Sequence, residues 1–239
     1  MNDYIQDGDD FIYNIWQADR SKRLFRNELL RHHQLRELLL KSGEFKTLID
    51  IGCGTGYFDF LLSRDGKKIT AVDLSAKRLS LFADTAKKYQ IKQVNANLFD
   101  ISESGFDALI SQEVLEHLEN YETALKKMHS FLRPGGMALF CVPFNENLEA
   151  KTVVDPVTKK RYHTSGHLHS FTQKKLAKSI ADQGYEVLKV RLIVNKRSVK
   201  HFTRLRLPVN WITLFIDRTM NRLFPRKAAY LAVLCQKKS

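Results

Sequence analysis

The sequence predicts a doubly wound α/β protein built on a mostly parallel sheet, and three observations carry that prediction. Short apolar runs alternate with helical stretches from Lys46 to Pro143. A glycine-rich turn, Asp50-Ile51-Gly52-Cys53-Gly54-Thr55-Gly56, joins the first such run to the first helical one. The 239 residues, 44% hydrophobic and 27% charged, suit one folded α/β domain with appendages rather than a disordered chain. Strands separated by helices make βαβ units, whose sheet is parallel and covered on both faces.

Taken in order, residues 1–43 are expected to form an N-terminal helical cap and residues 44–239 the main domain. Leu24, Phe25, Leu29, Leu30, Leu35, Leu38 and Leu39 recur at helical spacing, with no Gly or Pro among them, until Ser42-Gly43 ends the run. There follow the strand KTLIDIG, helix GYFDFLLSR, strand KITAVDL, helix SAKRLSLFADTAKKYQ and strand IKQVNA. Next come the strand FDALISQ, the helical stretches VLEHL and TALKKMHSFL, and the strand GMALFCVP. A polar stretch reaches to about Ser170. Thr172 then N-caps the helix TQKKLAKSIADQG, which Gly184 closes. YEVLKVRLIV reads as a strand and AAYLAVLCQKK as the last one, reached as an antiparallel hairpin partner; residues 195–227 between them form an insertion.

Several classes drop out on composition. No apolar stretch approaches the roughly 18–20 residues that span a bilayer. The segment MNDYIQDGDD carries four carboxylates and no basic residue, the reverse of a secretory leader, so a cytoplasmic location is expected. Cys53, Cys141 and Cys235 lie far apart with no CxxC pair, which fits a reducing compartment without a zinc site.

The charge is unevenly spread. Residues 1–144 hold 19 Lys+Arg against 20 Asp+Glu, whereas residues 145–239 hold 20 against 6, so the whole excess of +13 lies toward the C-terminal end. An anionic partner is expected there: nucleic acid, a phosphate-bearing substrate or an anionic membrane surface. The insertion alone has nine Lys+Arg against one acid, Asp217. On a helix, Trp211, Ile212, Phe215, Ile216, Met220 and Leu223 cluster on one side, with Asn210, Asp217, Arg218 and Asn221 on the other. Either the apolar side packs on the sheet or lids a substrate pocket, the commoner fate of such a helix, or it lies on an anionic membrane.

The glycine-rich turn is the most specific feature. Glycines 52, 54 and 56 allow a tight turn and a close approach of ligand to main chain. Asp73, at the end of the next strand and 21 residues after Gly52, can accept hydrogen bonds from both ribose hydroxyls. The spacing GxGxG after an acid differs from the GxGxxG of dinucleotide enzymes, and no phosphate-binding lysine of the P-loop kind follows.

Through LIDIGCGTG, ITAVDLS, FDALISQEVLEHL and LRPGGMALF, in order from about Thr47 to Val142, the chain resembles the class I S-adenosylmethionine-dependent methyltransferases. Within them it is similar to the broad group that includes ubiquinone-biosynthesis O-methyltransferases, and HLHSFTQKKLAKSIADQGYEV adds a weaker likeness. The resemblance implies a Rossmann-like, seven-stranded sheet with an antiparallel last strand, and S-adenosyl-L-methionine as cofactor. It implies that Gly52, Gly54 and Gly56, preceded by Asp50, cradle the methionine and ribose portions. Asp73 would hold the ribose, Leu74 pack on the adenine, Asn95-Ala96-Asn97 contact its edge, and Gln112 line the methionine part. Relatives often carry Asp at the place of Asn95, whose amide oxygen can still accept from the adenine amino group.

Methyl transfer needs the acceptor held about 3–3.5 Å from the methyl group with water excluded. An oxygen acceptor must also lose its proton, for which histidine is the natural base. His117 in EVLEHL and His167 in YHTSGHLHSF are the leading candidates, with His163 and His169 behind them. Glu113 and His117, four apart, would share a helix face. These groups imitate a metal site but lack a third ligand set, so no metal is expected. Cys53 reads as a packing residue, and Arg31 as a solvated arginine that could at most reach the methionine carboxylate.

Tyr13 and Trp16 would wall an aromatic acceptor. A small or lipid-linked acceptor is favoured, with peripheral contact to an anionic membrane. An RNA substrate is the rival reading; Ser111-Gln112-Glu113-Val114 stands where base-amine methylating enzymes carry an Asn/Asp/Ser-Pro-Pro-aromatic motif, and no RNA-binding module is recognisable. A non-catalytic cofactor-binding protein acting through partners is the third reading.

Overall fold

In the computed structural model, residues 26–157 and 159–238 are described; Tyr13, Trp16, Leu24 and Phe25 lie outside them. The strands are β1 (Thr47–Ile51), β2 (Lys68–Asp73), β3 (Lys92–Asn95), β4 (Phe106–Gln112), β5 (Leu132–Pro143), β6 (Thr152–Val154), β7 (Arg161–His163), β8 (Tyr185–Asn195) and β9 (Ala228–Lys237). Seven form one sheet in the order β3-β2-β1-β4-β5-β9-β8, while β6 and β7 make a separate antiparallel pair within the stretch read as merely polar. The pairs among β1 to β5 are parallel, and β9 runs antiparallel to both β5 and β8, as expected.

Alternate strand residues feed two cores, which is why the strands read as continuous apolar runs. On one face Leu48, Ala71 and Leu139 meet Leu35 and Leu39 of α1 (Arg26–Leu40) and Phe58 and Leu62 of α2 (Tyr57–Arg64). On the other, Ile49, Leu109 and Phe140 meet Met128 of α5 (Tyr121–Phe131) and Leu176 and Ile180 of α6 (Gln173–Asp182).

The helix expected over residues 75–90 is two short ones, α3 (Ala76–Ser80) and α4 (Ala83–Lys88), broken at Leu81-Phe82. Phe82, with φ −124°, leaves the helical conformation, and its ring packs where a Cβ on Gly56 would stand, 2.3 Å away. Burying that ring against the glycine turn outweighs continuous helix. VLEHL is likewise a single 3-10 turn, Leu115–His117.

The insertion folds as α7 (Lys196–Arg204) and α8 (Trp211–Leu223), the latter opened by a capping box between Asn210 and Thr213. Packing of α8 reverses the favoured expectation. Thr213, Asp217 and Asn221, one stripe at i, i+4 and i+8, face inward and are buried. The carboxylate of Asp217 accepts from the Asn195 N–H at 2.8 Å, from Gln34 Nε2 at 2.9 Å and from Asn221 Nδ2 at 3.2 Å. Asn195 Nδ2 in turn donates to the carbonyls of Met220 and Phe224, both at 3.1 Å. Trp211 and Phe215 are therefore turned outward, 77% and 65% exposed. The buried residues Val194, Asn195 and Gln34 offer polar partners that only the polar stripe can satisfy. Among the described residues no helix is long and apolar enough to cross a membrane.

Candidate active site

The sheet order reverses between β1 and β4, so their carboxyl ends diverge and open a crevice, the usual ligand position in doubly wound sheets. After β1 the chain turns: the N–H groups of Gly52 and Cys53 both donate to the Val72 carbonyl, at 2.9 and 3.0 Å. Gly54 sits at φ +60°, a region costly for a residue with a Cβ. Its N–H donates to Asp73 Oδ2 at 2.9 Å, and the Ser75 N–H donates to Oδ1 at 2.8 Å. Each carboxylate oxygen thus keeps further acceptor capacity while its direction is set by backbone.

One open cleft of about 1400 Å³ lies over these strand ends. Gly52, Asp73, Leu74, Ala96 and Asn97 line one end of it, and His117 and His167 line the middle, together with Glu113 and Glu146. Lys196, Val199 and Lys200 border its far side.

Five residues assigned by resemblance do not line the cleft. Asp50 is buried behind the glycine turn beside Asp59 of α2. Burial, reinforced by Asp59, raises the Asp50 carboxyl well above the usual range, and burial pushes Asp59 up to about 7. Gly56 is packed under Phe82, and Gly54 is committed to Asp73. A Cβ on Gly52 would come within 2.3 Å of Val114 Cγ2, so that glycine also serves packing within the protein. Asn95 is exposed, and its amide donates to the carbonyls of Asp73 and Leu74 at 3.0 and 2.8 Å, bracing the end of β2. Gln112 is half-buried at the end of β4, with a buried Oε1 that has no protein partner among the described residues.

Two expectations need correction. Glu113 has φ +53° and turns out of β4, so it shares no helix face with His117; its carboxylate pairs with Arg31. Arg31 is not a solvated arginine: it is 6% exposed, with its guanidinium 4.8 Å from the centre of the Tyr230 ring.

The histidines converge through β6, β7 and the loop that follows. His167 Nδ1 donates to the carboxylate of Glu146, which also pairs with Lys151. Burial alone would raise Glu146, but the hydrogen bonds from His167 and Lys151 outweigh it and hold the carboxyl down at about 2. In the neutral tautomer of His167 with its proton on Nδ1, Nε2 is the ring nitrogen that can accept a proton. His117 Nδ1 donates to the Gly166 carbonyl at 3.2 Å, its ring 4.8 Å from that of His167, and burial together with His167 lowers its pKa to about 4. His169 Nε2 donates to the carbonyls of Leu118 and Glu119 and ties the two loops together. Glu146 escaped the sequence reading; an acidic side chain just past the carboxyl end of β5 was the available signal.

Donor atoms of Glu146, His163 and His167, and those of Glu116, His117 and His167, lie within 4.8 Å of one another, supplying the third ligand that spacing alone lacked. The protons nevertheless argue for a hydrogen-bonded cluster. His163 Nδ1 accepts from the N–H groups of Ser165 and His167, both at 3.2 Å, so the neutral ring carries its proton on Nε2, the atom a metal would need bare. Glu146 already has the Lys151 ammonium, and burial raises the Glu116 carboxyl well above the usual range, disfavouring the charged form that a metal would need.

A reversed strand order, a glycine turn and an aspartate ending β2 at the edge of one cleft belong to the Rossmann-like fold of the S-adenosylmethionine-dependent methyltransferases. The sequence profile of the family described as "Methyltransferase domain" matches residues 18–190, and the chain belongs to that family. A Mycobacterium tuberculosis protein named only as an uncharacterized methyltransferase is 32% identical over 112 residues, 46% of this chain and 56% of that one. The ubiquinone biosynthesis O-methyltransferase of Aromatoleum aromaticum is 32% identical over 111 residues, 44% of this chain and 47% of that one. The matches thus span about half the length of these relatives. Among solved structures, the Burkholderia thailandensis 1,6-didemethyltoxoflavin-N1-methyltransferase, crystallised with S-adenosylhomocysteine, superposes with TM-score 0.67 over 96% of this chain and 86% of its own, at 16% identity. The [4+2]-cyclase SpnF superposes with TM-score 0.65 over 96% and 94%, at 14% identity. At such identities the likeness is one of fold.

Proposed function

We propose that this chain is an S-adenosylmethionine-dependent methyltransferase that methylates a hydroxyl group of a small or lipid-linked acceptor. The observation that supports the reading is the single cleft, which joins the Asp73 end to the Glu146–His167 dyad. The cofactor suits the residues at the first end: Asp73 has acceptor capacity for two ribose hydroxyls, Ala96 and Asn97 border a flat base, and the unpartnered Gln112 oxygen is close behind in sequence to the cleft-lining Glu113. Bound there, S-adenosylmethionine supplies an electrophilic methyl group. The chain's own part is to orient the acceptor, exclude water and take a proton. His167 is the base in this reading, using Nε2, and Glu146 fixes its tautomer and stabilises the imidazolium that forms. His117 is a neutral neighbour in the wall of the cleft, held by Gly166.

Calorimetric titration with S-adenosylhomocysteine, with NADH as control, tests the cofactor: micromolar binding of the first alone is expected. Asp73→Ala should weaken it at least about tenfold, or about 1.4 kcal/mol; unchanged affinity in a folded variant would sink the assignment. With a phenolic acceptor found by screening, His167→Ala should lower kcat about 100-fold with little change in KM. Glu146→Gln should lower kcat and shift its pH dependence, and rates equal to the parent protein's would exclude the dyad.

A further inference from the structure

Helix α8 is turned inside out relative to an ordinary surface helix. Trp211, Ile212, Phe215, Ile216 and Leu223 are exposed along one side, and Leu205 and Phe224 flank it. Soluble proteins rarely leave so continuous an apolar surface to water without a use for it. The orientation is enforced from within, because rolling the helix would break the hydrogen bonds of Asp217 with Asn195 and Gln34 and those of Asn195 with the Met220 and Phe224 carbonyls. The insertion also exposes Lys200 and Arg204 on α7, Arg206 just after it, Arg222 on α8 itself and Arg226 and Lys227 directly after α8, and its only acid, Asp217, is buried.

We propose that this face docks on an anionic lipid bilayer, with Trp211 and Phe215 entering the headgroup–acyl boundary and the arginines and lysines meeting the phosphates. A bilayer surface satisfies both halves of the patch at once: apolar depth under the rings and negative charge around them. RNA would answer the charge but leave Ile212, Phe215 and Leu223 in water. A second copy would cover the rings but bring the same cations together. Lys196, Val199 and Lys200 of the adjoining α7 border the cleft, so docking would set the far side of the cleft beside the lipid. The inference stands apart from the methyl-transfer reading.

The test is sedimentation of the full chain with phosphatidylcholine vesicles and with vesicles containing about one third phosphatidylglycerol. Binding is expected only to the second, falling at least about tenfold as salt rises from about 0.05 to 0.5 M. Trp211→Ser with Phe215→Ser should lower the partition coefficient at least about tenfold, and Arg222→Gln with Arg226→Gln several-fold. In a Trp16→Phe background, Trp211 is the single tryptophan, and its emission should shift to the blue on anionic vesicles. Far-UV circular dichroism and thermal melting should be unchanged in these surface variants, which separates lost docking from lost folding. No binding by the folded protein, or binding indifferent to the Trp211/Phe215 pair, would overturn the proposal. So would a dimer that the same pair of substitutions dissociates, or RNA binding that needs the arginines while lipid binding is absent.

Discussion

Helices α6 and α8 are built alike and docked oppositely. Each opens with a side-chain cap, Thr172 in one and Asn210 in the other, and each has one apolar and one polar side. Helix α6 buries Leu176 and Ile180; α8 buries Thr213, Asp217 and Asn221 and leaves its tryptophan in water. The apolar transfer that holds α6 is worth about 1.5–3 kcal/mol per side chain. The hydrogen bonds that hold α8 return only about 1 kcal/mol each over water, yet leaving their buried partners unmade costs more than that. Amphipathicity therefore defines two faces, and the chemistry of the receiving surface chooses between them.

Four measurements would break or sharpen this contrast. Asp217→Ala strips the acceptor from Asn195, Gln34 and Asn221 together and should cost about 4 kcal/mol in urea unfolding; a loss below about 1 kcal/mol would mean that α8 is held by something else. Leu176→Ala should cost about 3 kcal/mol by the ordinary route of an emptied core site.

The third concerns pH. Burial raises the pKa of Asp217 in spite of hydrogen bonds from Asn195 and Gln34. An acid raised on folding contributes stability that is fully present below its unfolded value, near about 4, and lost as pH climbs through the folded one. As pH rises from about 4 the protein should therefore lose stability in urea unfolding relative to Asp217→Asn, and a constant difference would show that the buried carboxyl does not titrate. The smallest effect is expected at Trp211→Ser, within about 0.5 kcal/mol, since the side chain is already in water. A loss of several kcal/mol there would mean that the rings are covered.

The two ends of the cleft differed in legibility for a related reason. Strand β1, the glycine turn and α2 are contiguous, and Asp73 ends the next strand, so period, glycine and one acid sufficed to find them. The opposite end depends on a short hairpin, β6 and β7, whose polar sequence carries no strong periodicity. That hairpin brings His163 and His167 back to Glu146, and without it the three were unrelated positions. Glu113 and His117 show the reverse error: four-residue spacing implied a helix face, but the positive φ at Glu113 makes a turn and sends its carboxylate to Arg31.

By itself the sequence determined the order of strands and helices, the antiparallel final strand, the glycine turn, Asp73 and the concentration of positive charge near the C-terminal end, all properties of neighbouring residues or of simple composition. Only the tertiary structure decided that Arg31 is buried against Glu113, that Glu146 orients His167, and that α8 turns its polar stripe inward. Those pairs are separated by 82 and 21 residues, and Gln34 and Asp217 by 183. Their energies exist only once the sheet has removed the groups from water, where an unpaired donor or charge becomes costly and its partner is thereby selected.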